Sequence, residues 1–218
     1  MTEIALRRGD EPGKEDARTQ ILTAAADAFV AGGFAGTSID DVAEVLSATK
    51  GLIYHYYKSK SDLYLAVLQR GVEGLLGTLE AVAGQPIAQR DKLIAMVRAH
   101  ATYFLSERQS MQLLAQSLFS GFPKTMSDRQ RTKAQEIEAS RARIFNLYLD
   151  LVDVGVQQGE FVDLPADAVT RMILGGIIFA TLNPDHLNTN GHAGTDVIAT
   201  FMARAIEVPR RRRTGRID

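Results

Sequence analysis

Three observations predict an all-α fold, with an N-terminal three-helix helix-turn-helix unit joined by a fourth helix to a larger helical region. Apolar residues recur at helical spacing in nearly every segment, and no run alternates as a half-buried strand would. Hydroxyl side chains, each followed three residues later by an acid, stand ahead of successive apolar runs, the pattern of a helix start. Residues 47–49, "SAT", are too few to be anything but a turn between two short helices.

The elements follow in order. Ile21, Leu22, Ala25 and Phe29 share one helical face, and the "GGF" at 32–34 stops that helix. "TSIDDVAEVL" starts a second, with Thr37 as N-cap and Asp40 completing a capping box ahead of Ile39, Val42, Ala43 and Leu46. Thr49 caps a third short helix through Tyr56 or Tyr57. Ser59 with Asp62 opens a fourth, from Lys60 towards "AGQP" at 83–86, where Pro86 ends it. Helices over 88–107 and 110–120 precede a break at "SGFP". A long amphipathic helix then carries Ile137, Ile144, Phe145, Tyr148, Leu151 and Val152 on one face, with Gly159 as its C-cap. Asp163 or Pro165 starts a helix to Leu182, and after a polar loop at 183–195 Thr195 caps the last, which ends near Pro209. The division expected is an arm at 1–14, the helix-turn-helix domain at 15–75, a helical domain at 76–209 and a basic tail at 210–218.

Composition narrows the functions. With 218 residues, 45% of them hydrophobic, the chain can build a sizeable core. No window of 18 uncharged apolar residues exists, so no membrane span is expected, and the mixed charges of the N-terminus do not form a signal peptide. The absence of cysteine excludes disulfides, thiolate metal sites and cysteine nucleophiles, and fits a cytoplasmic location. The net charge of −1 divides into −3 over 1–75, −2 over 76–209 and +4 over 210–218.

"GLIYHYYKSKSDLY", at 51–64, holds the sharpest signal. Four consecutive residues point all the way round a helix, so the run Tyr54, His55, Tyr56, Tyr57 must divide between core and surface. Tyr57 and Ile53 are expected to face the core, Tyr54 and His55 to face outward, and Tyr56 is not assigned. In a helix-turn-helix the second helix enters the DNA major groove end first, which puts Thr49 and Lys50 where side chains and free N–H groups meet DNA. Gly51 clears a side chain from a close approach.

Here "ILTAAADAFVAGGFAGTSIDDVAEVLSATKGLIYHYYKSKSDLYLAVL", 21–68, resembles the N-terminal domain of the TetR family of transcriptional repressors. The likeness lies in an ordered set: the glycine-aromatic stop, the Thr-Ser start, the K-G-x-x-Y core and S-K-S-D-L. It implies a helix-turn-helix over 38–57, Lys50 and Gly51 at the groove, Tyr54 and His55 facing phosphates, and Lys60 reaching a phosphate from the fourth helix. The DNA-contacting set expected is Thr37, Ser38, Thr49, Lys50, Gly51, Leu52, Tyr54, His55 and Lys60. Three positions depart from the pattern: Ser47 where the turn usually has glycine, Leu52 where a small polar residue is common, and Tyr56 where a histidine is common.

The C-terminal region resembles the family in architecture only. Phe104, Met111, Leu114, Phe145, Tyr148, Met172 and Phe179 are the candidates to line an effector cavity, the alternative being plain core. Gly175, Gly176, Ala180, Ala199, Met202, Ala203 and Ile206 suit close contact between two protomers. Gly71, Gly74 and Gly77 read either as a packing face or as a bendable connector. His100, His186 and His192 have no metal-ligand spacing, and no catalytic motif is present. The expected function is a ligand-responsive repressor. It binds a pseudo-palindromic double-stranded DNA operator as a homodimer, is released by a small hydrophobic effector, and has no cofactor, catalytic group, metal or membrane partner. The alternatives are a DNA-binding protein with a purely structural C-terminal domain, and a small helical enzyme.

Overall fold

The computed structural model describes residues 11–182 and 192–208. They form α1 (Glu11–Gly36), α2 (Ile39–Val45), α3 (Lys50–Tyr56), α4 (Lys60–Ala83), α5 (Gln89–Ser106), α6 (Arg108–Ser120), α7 (Asp128–Gln157), α8 (Ala166–Leu182) and α9 (His192–Ile206). The fold is all-α as expected; the one extended feature among the described residues is an isolated antiparallel bridge between Phe161 and Glu207. The arm expected at 1–14 lies outside the described residues up to residue 10, and α1 already begins at Glu11. The tail expected at 210–218 lies outside them entirely, as does His186.

The chain forms two compact units. The first takes the residues through Leu75 together with 106–141, so α6 and the first half of α7 group with the N-terminal helices. Its core is built from Ile21, Ala25 and Phe29 of α1, Ile39 and Val42 of α2, Ile53 of α3 and Leu63, Leu68 and Val72 of α4, all buried. Full burial of a side chain of this size stabilises by about 1.5–3 kcal/mol before chain entropy is counted. Phe29, Phe34 and Tyr64 form a ring cluster with centroids 5.0–6.1 Å apart. Gly33 makes the cluster possible: its φ of 67° kinks α1 at the expected stop, a conformation glycine adopts without a Cβ clash. Gly71, in α4, is buried in ordinary contact with Ser110 and Met111 of α6, whereas Gly77 is exposed with open space around it. The three α4 glycines therefore do not share one packing face, and α4 runs through them unbroken.

The second unit comprises 76–105 and the residues from 142 on. Leu93, Met96, Val97 and Phe104 of α5, Ile144, Tyr148, Leu151 and Val152 of α7, Ile173 and Ile177 of α8, and Ala199 and Ala203 of α9 are buried. Gly155 accepts the Phe161 ring where a Cβ would stand only 2.1 Å from it. The turn after α7 has Gly159 at φ 71°, the C-terminal role expected of it. Glu160 then caps another helix: its carboxylate accepts the backbone N–H groups of Gln89 (3.4 Å) and Arg90 (2.9 Å) at the start of α5. The Arg90 side chain in turn pairs with Glu207 at 3.0 Å. Thr195 is not the cap of the last helix; α9 starts a turn earlier, at His192, and Thr195 is buried inside it.

Candidate nucleic-acid interface

Hydroxyl side chains fix the starts of α2, α3 and α4. Ser38, not Thr37, is the N-cap of α2: its Oγ accepts from Asp41 N–H at 3.1 Å, and the Asp41 carboxylate accepts from Ser38 N–H at 2.7 Å. The reason lies in α1. Thr37 is buried, and its hydroxyl donates to the carbonyls of Gly33 (2.7 Å) and Ala28 (3.1 Å). Gly32 leaves room for that hydroxyl, which would stand 2.8 Å from a Cβ there. Thr37 thus ties off α1 and its side chain is withdrawn from the surface, which removes it from the expected DNA-contacting set. The reciprocal bonds hold the Asp41 carboxyl below the usual carboxylate range, with the Ser38 N–H the main cause.

After α2, Ser47 adopts φ 53°, the left-handed conformation that explains why glycine is common at this turn. Thr49 caps α3 as expected, its Oγ1 accepting from Leu52 N–H at 3.4 Å. Ser59 opens α4 through Asp62: Oγ accepts from Asp62 N–H at 3.1 Å and donates to its carboxylate at 2.9 Å.

These caps orient α3. Ile53 is fully buried beneath it, while Lys50, Gly51, Tyr54 and His55 are exposed and Leu52 is half-buried. Tyr57 is half-buried rather than fully in the core. The unassigned Tyr56 is half-buried, edge-on to His55 at 5.0 Å and under the Arg18 guanidinium at 6.0 Å. Lys50 pairs with Asp40 at 3.2 Å on the surface. Lys60 is not a free cation: Nζ donates to the carbonyls of Thr37 (2.8 Å) and Ala35 (3.3 Å) and lies 4.6 Å from the Phe34 ring centroid. The sequence offered no signal for that role, because its partners are backbone atoms more than twenty positions away.

Residues 21–67 match the family model described as bacterial regulatory proteins, tetR family. These residues form a TetR-type N-terminal domain. Among curated TetR-type relatives, the transcriptional activator FasR of Mycolicibacterium smegmatis is 32% identical over half of this chain and 49% of its own length. The repressor KstR2 of the same organism is 26% identical over 72% of this chain and 73% of its own. Thus the chain spans about half the length of FasR and nearly three quarters of KstR2 in these matches. A tetR-family protein from Rhodococcus RHA1 has the same fold, with TM-score 0.76 at 22% identity, covering 89% of this chain and 98% of its own. No helix among the described residues is long and apolar enough to cross a membrane.

The effector residues expected from the sequence are divided between the two units. Met111 and Leu114 belong to the first unit, whereas Phe104, Phe145 and Tyr148 belong to the second. Met172 and Phe179, on α8, are 75% and 76% exposed and so line no cavity. The dimer set also needs correction. Ala199, Ala203 and Ile206 are buried within their own chain, and Met202 fills the space beside Gly176. Helical spacing identified apolar residues correctly but not which way each one faces. Gly175 is exposed and Ala180 half-buried. The exposed apolar stripe instead joins Met172, Gly175 and Phe179 of α8 with Val197 and Phe201 of α9.

His100 is a core residue. Its Nδ1 lies 3.3 Å from the Tyr148 hydroxyl, and burial lowers its pKa to about 4 while raising that of Tyr148. Among the described residues no group of three or more metal-ligating side chains comes together.

Proposed function

We propose that this TetR-family regulator is a homodimeric repressor that binds a pseudo-palindromic operator and leaves it when a small apolar effector binds. One observation carries the reading: α3, capped by Thr49, presents Lys50, Gly51, Tyr54 and His55 outward from a helix anchored by Ile53. Lys50 and Gly51 approach base edges, Thr49 and Ser38 offer helix N-termini to phosphates, Leu52 meets a thymine methyl, and Tyr54 and His55 bond the backbone. Lys60 holds the joint between α1 and α2 while adding positive potential beside it.

One short helix makes too few contacts to bind tightly, so two copies bind half-sites about one DNA turn apart, roughly 34 Å. Met172, Phe179, Val197 and Phe201 supply the apolar face for that pairing. An exposed stripe of this kind is unusual in a monomer.

The effector reading rests on an open cleft of about 880 Å³ within the first unit, floored by Phe34, Tyr64, Leu113 and Phe122. A ligand there touches Gly32–Ala35, directly before the start of α2, and so biases the geometry of the helix-turn-helix. Gel-shift and reporter measurements on an operator selected from random duplexes test the proposal. Lys50→Ala should change the preferred operator, whereas Lys60→Ala should weaken all operators alike. Equal weakening of every operator by both substitutions overturns the assigned roles. A reporter that falls when the protein is present makes it a repressor, and one that rises makes it an activator.

A further inference from the structure

A second groove in the first unit, of about 610 Å³, lies among α1, the end of α3, α4 and the start of α7. Five cations line it, Arg18, Lys58, Arg70, Arg129 and Lys133, against only two carboxylates, Asp62 and Glu73. Both acids are already engaged. Asp62 accepts from Ser59 and from the Gln130 amide at 3.1 Å, and Glu73 accepts from the Gln69 amide at 2.8 Å. Arg70 is held by the Thr19 carbonyl at 3.4 Å and lies 3.8 Å from Glu107. The other four form no ion pair among the described residues, although residues 1–75 carry a net charge of −3. Uncompensated like charge gathered in one concavity raises the local concentration of anions and is relieved by binding one.

We propose that this groove is a phosphate-binding site that takes a multiply phosphorylated small molecule. Guanidinium forks of Arg18 and Arg129 match phosphate oxygens in pairs, and Lys58 and Lys133 supply mobile point charges. Tyr56, also in the wall and already under Arg18, gives a planar group on the ligand a face to stack on. The groove follows α4 from Asp62 to Gly74, about 18 Å at the helical rise. An open concave groove walled by α1, α4 and α7 suits a compact ligand better than a convex, stiff duplex. The position couples ligand to DNA, because Tyr56 ends the recognition helix and Lys58 follows it. This inference is independent of the apolar effector cleft.

The test uses the full chain, with ADP and inorganic pyrophosphate as probes in calorimetric titrations at constant ionic strength, and a 30-base-pair duplex of arbitrary sequence as the DNA arm. The wild-type protein should bind ADP with a dissociation constant below about 1 mM, a modest affinity for a charged open site. The double variant Arg129→Gln/Lys133→Gln should weaken ADP binding at least tenfold while keeping duplex affinity within twofold and melting unchanged. Should the double variant melt early, Arg129→Gln alone, on an exposed side chain, should weaken ADP binding at least threefold. Two results overturn the proposal: no binding of either probe by the wild type at millimolar concentration, or a loss of duplex affinity above tenfold in the variant. The second assigns these cations to the DNA backbone.

Discussion

The starts of α2 and α5 solve the same problem by opposite means. At α2, Ser38 and Asp41 satisfy each other's backbone N–H groups within four residues. At α5 the N–H groups of Gln89 and Arg90 are satisfied by Glu160, seventy positions away. Every helix begins with four N–H groups that have no partner inside it, and either arrangement relieves part of that cost. The difference is in what each requires. A local cap forms with its own helix, whereas the α5 cap exists only once the second unit has folded. The helices proposed to recognise DNA are capped locally, by Ser38 and Thr49, whereas the exposed apolar stripe lies on α8 and α9 of the unit that contains α5.

That contrast can be broken first at the stripe itself. Phe201→Glu puts a carboxylate on the exposed face of α9, where it costs nothing in a monomer and several kcal/mol in a buried pairing. Operator affinity should fall by at least about 100-fold, and sedimentation should show a monomer that melts as the wild-type monomer does. A dimer that persists unchanged places the contact elsewhere.

The next effect is confined to the second unit and follows pH. The unfolded chain binds a proton at His100 near the ordinary value of 6.5, the folded chain only near 4. Between those values the unfolded state holds more protons, so stability present above pH 6.5 is lost as pH falls towards 4, by up to about 3 kcal/mol. His100→Gln, which keeps a partner for the Tyr148 hydroxyl, should flatten denaturation midpoints across that window. An unchanged slope would assign the acid sensitivity to other groups.

The smallest pair of effects compares the two caps directly. Glu160→Ala should cost about 2 kcal/mol, since it removes charge-assisted bonds to two N–H groups. Ser38→Ala should cost about 1 kcal/mol. Hydrogen exchange should localise the first loss to α5 and the second to α2. Equal loss of protection at both helices in either variant would show a single cooperative block instead of two kinds of helix start.

Legibility in the sequence follows the same division. The all-α class, the turn at Ser47, the caps Thr49 and Ser59 and the outward face of Tyr54 and His55 were readable, because each depends on neighbours within a turn or two. Ser38 was missed in favour of Thr37 since both fit the capping pattern, and only the packing of Thr37 onto the carbonyls of α1 separates them. In α8 and α9 nearly every face is apolar, so periodicity could not say that Met172 and Phe179 point outward while Ala199 and Ala203 point in. The Lys60 contacts with Ala35 and Thr37 were out of reach for another reason: backbone carbonyls leave no residue-type signature.

If α3 enters the DNA groove as proposed, the surface pair between Lys50 and Asp40 has a kinetic consequence. Both side chains are more than half exposed, so the pair adds little stability. It does occupy the cation nearest the recognition helix's leading end with a carboxylate of the protein itself. On random DNA, Lys50 gains a phosphate only by giving up Asp40, and Asp40 is then left facing a polyanion. On that reading the exchange is nearly neutral, so Lys50 adds little to non-specific attachment. At a site where Lys50 reaches a base edge, directional hydrogen bonds are added that the carboxylate did not supply. Under that proposal the acid on α2 shortens each unproductive stop on DNA and leaves the operator complex its hold.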